Sequence, residues 1–239
     1  MSRMNFVLSL TLMIATVLPS EGQQGPVISI EKQTGKRRVL TAQQIAKRAY
    51  ASSVVVNGSD KKGDLVAQAS GFFVTPSVVV TNFHAIENAN QISVELVGRR
   101  YRGYISRVIR FDDKSDLALL EVPMVKGKPI PIYRGTGVDV GDTVYVMGNP
   151  KGLDATFSSG QISAFREFND VLHIQVTAPL SAGSSGSAVL NNHGELIGVV
   201  QSQLSEGQNL NFAIALPHLL VLMLGEKGKG MSVIHPRTK

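Results

Sequence analysis

No cysteine occurs among the 239 residues. That excludes disulfides, thiolate metal sites and a thiol nucleophile together, so any acyl-transfer nucleophile here must be a hydroxyl. It does not argue against export, because disulfides outside the cytosol are permitted but not required. Tryptophan is also absent and aromatics are only 6% of the chain, so few stacking residues accompany the basic ones. The net charge of +6 invites a nucleic acid or another acidic polymer as partner. The basic residues are scattered, however, through Lys36-Arg37-Arg38, Arg99-Arg100, Arg102, Arg107 and Arg110. A solvated basic surface, and no nucleic-acid site, is the reading they support. Charged residues make up 18% against 43% hydrophobic, the balance of a chain that folds around a core.

Long apolar runs are lacking too. The longest, Phe6 to Leu18, follows Arg3 and is broken by Pro19-Ser20-Glu21-Gly22. It is shorter than the ~18–20 residues that span a bilayer, and its flanks are those of an export signal. The expectation is a signal peptide over 1–22, cleaved near Ser20 or Gly22, and an exported product, periplasmic or extracellular, with no stable membrane insertion. Residues 23–40 are polar, contain Gly25-Pro26, and read as a flexible linker.

Thr41 then offers a helix N-cap with Gln44 three residues on, and Ile45 and Ala49 one turn apart. From Ser52 onward the pattern changes to short apolar or alternating runs separated by turn residues. Strands are expected at 52–57, 65–75, 77–81, 91–96, 101–110, 117–122, 143–147, 160–165, 171–177, 187–190, 194–202 and 210–215. Strands at this spacing, with no 10–15-residue helices between them, indicate antiparallel barrels or a sandwich and not βαβ units. Pro217 can open a last short helix over His218 to Leu224, stopped by Gly225.

A serine attacks a carbonyl only if a base takes its proton, and the base needs an acceptor to hold its tautomer. Such a set is present in the order His84, Asp116, Ser185. His84 ends an apolar strand, Asp116 opens Leu117-Ala118-Leu119-Leu120, and Ser185 lies in Gly183-Ser184-Ser185-Gly186-Ser187. Glycines around a serine allow backbone N–H groups to converge on a substrate oxygen. Each piece alone has a plainer meaning. The serine loop could be a flexible turn, His84 an ordinary strand-end residue and Asp116 a turn acid, with Asp112 and Asp113 as rivals. His173 alternates with apolar residues and His193 sits in a turn, so both read as structural. Neither they nor His218 and His235 have ligand spacing, so no metal or other cofactor is assigned.

Thr81-Asn82-Phe83-His84-Ala85, Ser115-Asp116-Leu117-Ala118-Leu119 and Ala182-Gly183-Ser184-Ser185-Gly186-Ser187-Ala188 closely resemble the His, Asp and Ser motifs of the HtrA/Deg family of trypsin-like serine proteases. Gly148-Asn149-Pro150-Lys151-Gly152-Leu153, Ser159-Gly160-Gln161-Ile162-Ser163-Ala164 and Asn211-Phe212-Ala213-Ile214 are similar to further stretches of that family. The resemblance runs from Thr41 to Leu216. It implies an all-β fold of two six-stranded antiparallel barrels with short N- and C-terminal helices, a protease domain over 41–225 and a basic flexible tail over 226–239. It implies His84 as general base, Asp116 as its orienting acid and Ser185 as nucleophile. Gly183, Ser184 and Ser185 would supply the oxyanion hole, Pro179 and Leu180 the specificity pocket, and Asn211, Phe212 and Ala213 a strand edge for the substrate backbone.

The expected function is therefore an ATP-independent endopeptidase acting on unfolded or damaged exported polypeptides. The alternatives are a catalytically silent peptide-binding or holdase protein on the same scaffold, or a basic binder of acidic polymers. The family pattern also differs here in places. Ser184 and Ser187 stand where relatives commonly carry Asn and Gly, and residues 218–239 are too few for a PDZ domain. Neither Pro179 nor Leu180 is acidic, so small to medium apolar side chains, not basic ones, are expected before the cleaved bond. Relatives form trimers through N-terminal segments, but within 23–50 only Tyr50 offers an aromatic anchor.

Overall fold

The computed structural model describes residues 38–98, 103–135, 137–149, 155–181, 183–201 and 211–225. The expected signal peptide, most of the expected linker and the expected tail lie outside them. A helix, α1 (Ala42–Ser52), leads into twelve strands and a closing helix, α2 (Leu216–Leu224). Strands β1 (Ser53–Ser59), β2 (Leu65–Thr75), β3 (Val78–Thr81), β4 (Gln91–Leu96), β5 (Gly103–Asp112) and β6 (Leu117–Glu121) close one barrel in the order β1-β2-β3-β6-β5-β4. Strands β7 (Thr143–Gly148), β8 (Thr156–Phe168), β9 (Val171–Val176), β10 (Ala188–Leu190), β11 (Leu196–Gln201) and β12 (Asn211–Ala215) close a second, in the order β10-β11-β12-β9-β8-β7. All pairings within the barrels are antiparallel. Every expected strand is present.

The sequence accounts for most of this locally. Thr41 and Gln44 exchange hydrogen bonds in a capping box, and α1 buries Ile45, Ala49 and Ser52. The run Val78-Val79-Val80-Thr81 is buried on both faces, as is Leu117-Ala118-Leu119-Leu120, because β3 and β6 lie side by side in a closed barrel. Val79, Ala118 and Leu120 point into the first core with Val54, Val56, Phe73 and Val94. Val144, Val146, Ile162, Ile174, Val176 and Val189 form the second. Each fully buried Val, Leu or Ile contributes roughly 1.5–3 kcal/mol relative to exposure.

β8 is longer than expected because Asn169 and Asp170, at φ 51° and 59°, form a two-residue turn that joins it tightly to β9. Positive φ at both central positions is the twist that antiparallel strands favour, and Asn and Asp tolerate it. At the other end of the chain Pro217 opens α2, and Gly225 ends it in the left-handed region. Arg110 of β5 donates to the Met223 carbonyl at 2.5 Å, placing a cation at the negative end of that helix.

Candidate active site

His84 follows β3, and Asp116 precedes β6, the strand paired with β3. That pairing brings an acid and a histidine 32 residues apart into contact. His84 Nδ1 lies 2.7 Å from Asp116 Oδ2, and the His84 backbone N–H donates to Asp116 Oδ1 at 2.8 Å. The Asp116 carbonyl accepts from Phe83 N–H and from Asn82 Nδ2. With both carbonyl and carboxylate so held, Asp116 stays at φ 53°, a conformation that costs a non-glycine residue about 1–3 kcal/mol and concentrates at functional sites. The rivals separate clearly. Asp112 accepts from Ser115 N–H and Oγ within its own turn, and Asp113 is exposed.

Ser185 belongs to the second barrel but is fastened to the first. Its carbonyl accepts from Ser70 N–H at 2.9 Å, and Ser70 Oγ donates to the Gly183 carbonyl at 2.6 Å. Ser70 Oγ also accepts from Asn149 N–H, and Asn149 Nδ2 donates to the Val54 carbonyl across the seam between the barrels. Gly186, at φ 82°, sits against this seam. A Cβ there would lie 2.1 Å from the Ser70 carbonyl oxygen. Only glycine lets the chain turn away from the serine so closely to another backbone. Gly183, at φ 93°, has the same freedom.

Several expected residues do other work. Ser184 N–H donates to the Ser181 carbonyl at 2.9 Å, so it is spent on the loop and is not an oxyanion donor. Ser184 Oγ accepts from Ser181 N–H, which settles the serine in place of the common asparagine. The strand β12 is not a free edge. Phe212, Ala213 and Ile214 pair with β11 on one side and β9 on the other, so a closed barrel leaves no backbone groups there for a substrate. Phe212 packs its ring edge-on to Phe168, Ala213 lies in the core and Asn211 Nδ2 donates to the Ala178 carbonyl. Pro179 is exposed and Leu180 half-buried against the second core. Pro150 to Leu153 and Ala182 lie outside the described residues.

Two residues that the sequence reading left out of the site touch it. Gln201 Nε2 donates to Asp116 Oδ2 at 3.1 Å, and Gln201 Oε1 lies 2.8 Å from Nε2 of the buried His173. Their signal was a polar residue closing the apolar strand Leu196-Ile197-Gly198-Val199-Val200 and a histidine inside another apolar strand. His193 does serve structurally, through Nδ1 and the Arg38 carbonyl. His218 Nε2 accepts from Leu172 N–H at 2.8 Å, and burial above all holds its pKa below the ordinary 6.5. Among the described residues no group of His, Asp or Glu could hold a metal ion, and no helix is long and apolar enough to cross a membrane.

Two antiparallel six-stranded barrels, one carrying a paired His and Asp and the other a glycine-flanked serine loop, make a chymotrypsin-type serine peptidase scaffold. The chain belongs to the trypsin-like peptidase family: the family model described as a trypsin-like peptidase domain matches residues 69–199. Its relatives are of the HtrA/Deg kind. It is 38% identical over 171 residues to a probable serine protease do-like of Buchnera aphidicola, covering 67% of this chain and 35% of that one. It is 33% identical over 175 residues to the periplasmic serine endoprotease DegP of Escherichia coli, covering 69% and 36%. The solved serine endoprotease of Yersinia pestis superposes with a TM-score of 0.68 at 28% identity, over 77% of this chain and 66% of that chain. An HtrA-type protease solved with a tripeptide gives the same TM-score at 26% identity, over 77% and 63%. The chain spans about a third of the length of the curated relatives it matches.

Proposed function

We propose that this protein is a serine endopeptidase that hydrolyses peptide bonds in unfolded or damaged exported polypeptides. The observation that carries the reading is the His84–Asp116 pair, closed at 2.7 Å on Nδ1 and steadied by the second bond to the His84 backbone. Asp116 fixes the proton on Nδ1, which leaves Nε2 as the base that takes the Ser185 Oγ proton. Oγ then attacks the scissile carbonyl, and His84 returns the proton to the leaving amine. The oxyanion is received by the N–H groups of Gly183 and Ser185. Losing one such donor typically costs about 10²–10³ in rate, so the Ser70 bond to the Gly183 carbonyl is part of the machinery's support.

Non-basic side chains are preferred before the cleaved bond, because Pro179 and Leu180, at the positions the family uses for its pocket, carry no carboxylate. Export is supported by the apolar run over 6–18 and by relatives named periplasmic. The test is direct. Protein lacking residues 1–22 should degrade casein and be labelled at Ser185 by a fluorophosphonate, and Ser185→Ala should do neither. An inert wild type that refuses the label, yet suppresses client aggregation as well as Ser185→Ala does, would replace this reading with the holdase one.

A further inference from the structure

We infer that His173 is a positioning residue of the active site, acting through the Gln201 side chain to hold Asp116 in the orientation that faces His84. The inference rests on the peptidase reading above and adds to it a residue on a different strand of the other barrel.

Which atoms can donate decides how these side chains face one another. An ionised carboxylate only accepts, so the Gln201 amide must turn its NH₂ toward Asp116 Oδ2, 3.1 Å away. Its oxygen is then committed to the opposite side, where it meets His173 Nε2 at 2.8 Å. An amide oxygen also only accepts, so Nε2 must carry a proton to make this bond; the Val171 carbonyl, 2.8 Å from Nδ1, only accepts as well, so the second bond asks for a proton there too. The ring cannot easily turn away. Nδ1 lies 2.8 Å from the Val171 carbonyl, Phe212 stands edge-on with its centroid at 6.4 Å, and Phe168 leans on the ring at 5.3 Å. His173 is 4% exposed, in β9 between Arg166 of β8 and Ile214 of β12.

A glutamine ends in a freely turning amide. Without a donor on its oxygen, the Gln201 amide can rotate or swing aside, and Asp116 Oδ2 loses one of the two side-chain donors it shares between Gln201 and His84. With His173 in place the four groups form one directed series, His173 to Gln201 to Asp116, with His84 donating to the same carboxylate oxygen. Each bond in such a series polarises the next. His173 touches neither substrate nor nucleophile in this scheme; it fixes the amide that fixes the acid.

The experiment uses the full chain, four single variants and the double variant His173→Phe with Gln201→Met. In His173→Gln the amide nitrogen reaches as far as Nε2, whereas in His173→Asn it reaches only as far as Nδ1. His173→Phe should slow Ser185 labelling and lower kcat for casein about tenfold at unchanged KM, the worth of one lost hydrogen bond. His173→Asn should match it, and His173→Gln should return to within about twofold of wild type. Gln201→Met, which keeps the length and removes the amide, should be as slow as His173→Phe, and the double variant no slower than Gln201→Met alone. The downfield proton resonance of His84 Nδ1–H should shift or broaden in His173→Phe and sharpen again in His173→Gln.

Additive losses in the double variant, or equal behaviour of the Gln and Asn variants in both rate and resonance, would overturn the inference. A wild type that takes no label would overturn the peptidase reading instead, and the His84 resonance would still decide the role of His173. Should His173→Phe unfold, the Gln, Asn and Gln201→Met variants carry the same decision.

Discussion

Replacing Asp116 by Asn is the most searching perturbation of the site, because it changes one atom and leaves the volume intact. Three donors converge on the carboxylate: His84 N–H on Oδ1 at 2.8 Å, and His84 Nδ1 and Gln201 Nε2 on Oδ2 at 2.7 and 3.1 Å. An asparagine has one oxygen and one NH₂ with which to meet them. If its oxygen faces the His84 backbone, its NH₂ faces Nδ1, and the imidazole must move its proton to Nε2, the nitrogen that should be receiving one from Ser185. If the amide turns over, its NH₂ opposes the His84 backbone N–H and that bond becomes a repulsion. The first arrangement keeps all three contacts once the Gln201 amide turns over to accept from the new NH₂, whereas the backbone N–H in the second has no such freedom, so the folded variant holds the base in the wrong tautomer. The expected loss is about 10⁴ in the rate of Ser185 labelling and casein hydrolysis, or about 5 kcal/mol of transition-state stabilisation. Asp112→Asn is the control, since the Asp112 carboxylate bonds Ser115 within its own turn, and its activity should stay near wild type. A folded Asp116→Asn within tenfold of wild type, or an Asp112→Asn equally damaged, would refute the assignment of Asp116.

Gly186→Ala should cost about 3 kcal/mol or more in urea unfolding, from the positive φ and the overlap with the Ser70 carbonyl together. Ser70→Ala leaves the Gly183 carbonyl and Asn149 N–H without their partner; unfolding should show a loss of about 1–3 kcal/mol, and labelling should slow by up to about 10²-fold as Gly183 shifts. His218 supplies a pH dependence. Its folded pKa lies below 6.5, from burial first, with His173 and Lys114 pushing the same way and Asp112 and Glu167 opposing. The unfolded chain therefore binds its proton first, so the contribution is full above pH 6.5 and declines as pH falls through the lowered folded value. His218→Gln, which can still accept from Leu172 N–H, should flatten that part of the stability profile below pH 6.5; an unchanged slope would assign it to other groups.

The fold was legible because its strands announce themselves one at a time. Val78 to Thr81 and Leu117 to Leu120 are apolar runs too short for helices, and each is flanked by turn residues. The proposed reacting groups stood out for a related reason, since His84, Asp116 and Ser185 all sit near strand borders in recognisable local settings. What stayed hidden depends on neighbours distant in sequence. Asn211 to Ile214 reads equally well as an edge or an interior strand, and only closure of the second barrel makes it interior. Gln201 and His173 stand out only as polar residues on apolar strands, and their meaning lies in an acid contributed by the other barrel. The extra length of β8 turned on Asn169-Asp170, where two successive left-handed residues are needed and neither is a glycine.

The fastening of Ser185 and Gly183 to Ser70 has a consequence for the order in which the protein matures. Ser70 is made more than a hundred residues before the serine it holds. On the proposed mechanism, a growing chain that has finished its first barrel owns a base and an acid but nothing to attack with. A second barrel standing alone has a serine with no base beside it and a loop with no anchor. Hydrolytic chemistry is thus deferred until both halves have closed on each other. A protein whose proposed substrates are unfolded polypeptides is, for as long as it is unfolded itself, unable to harm its own kind.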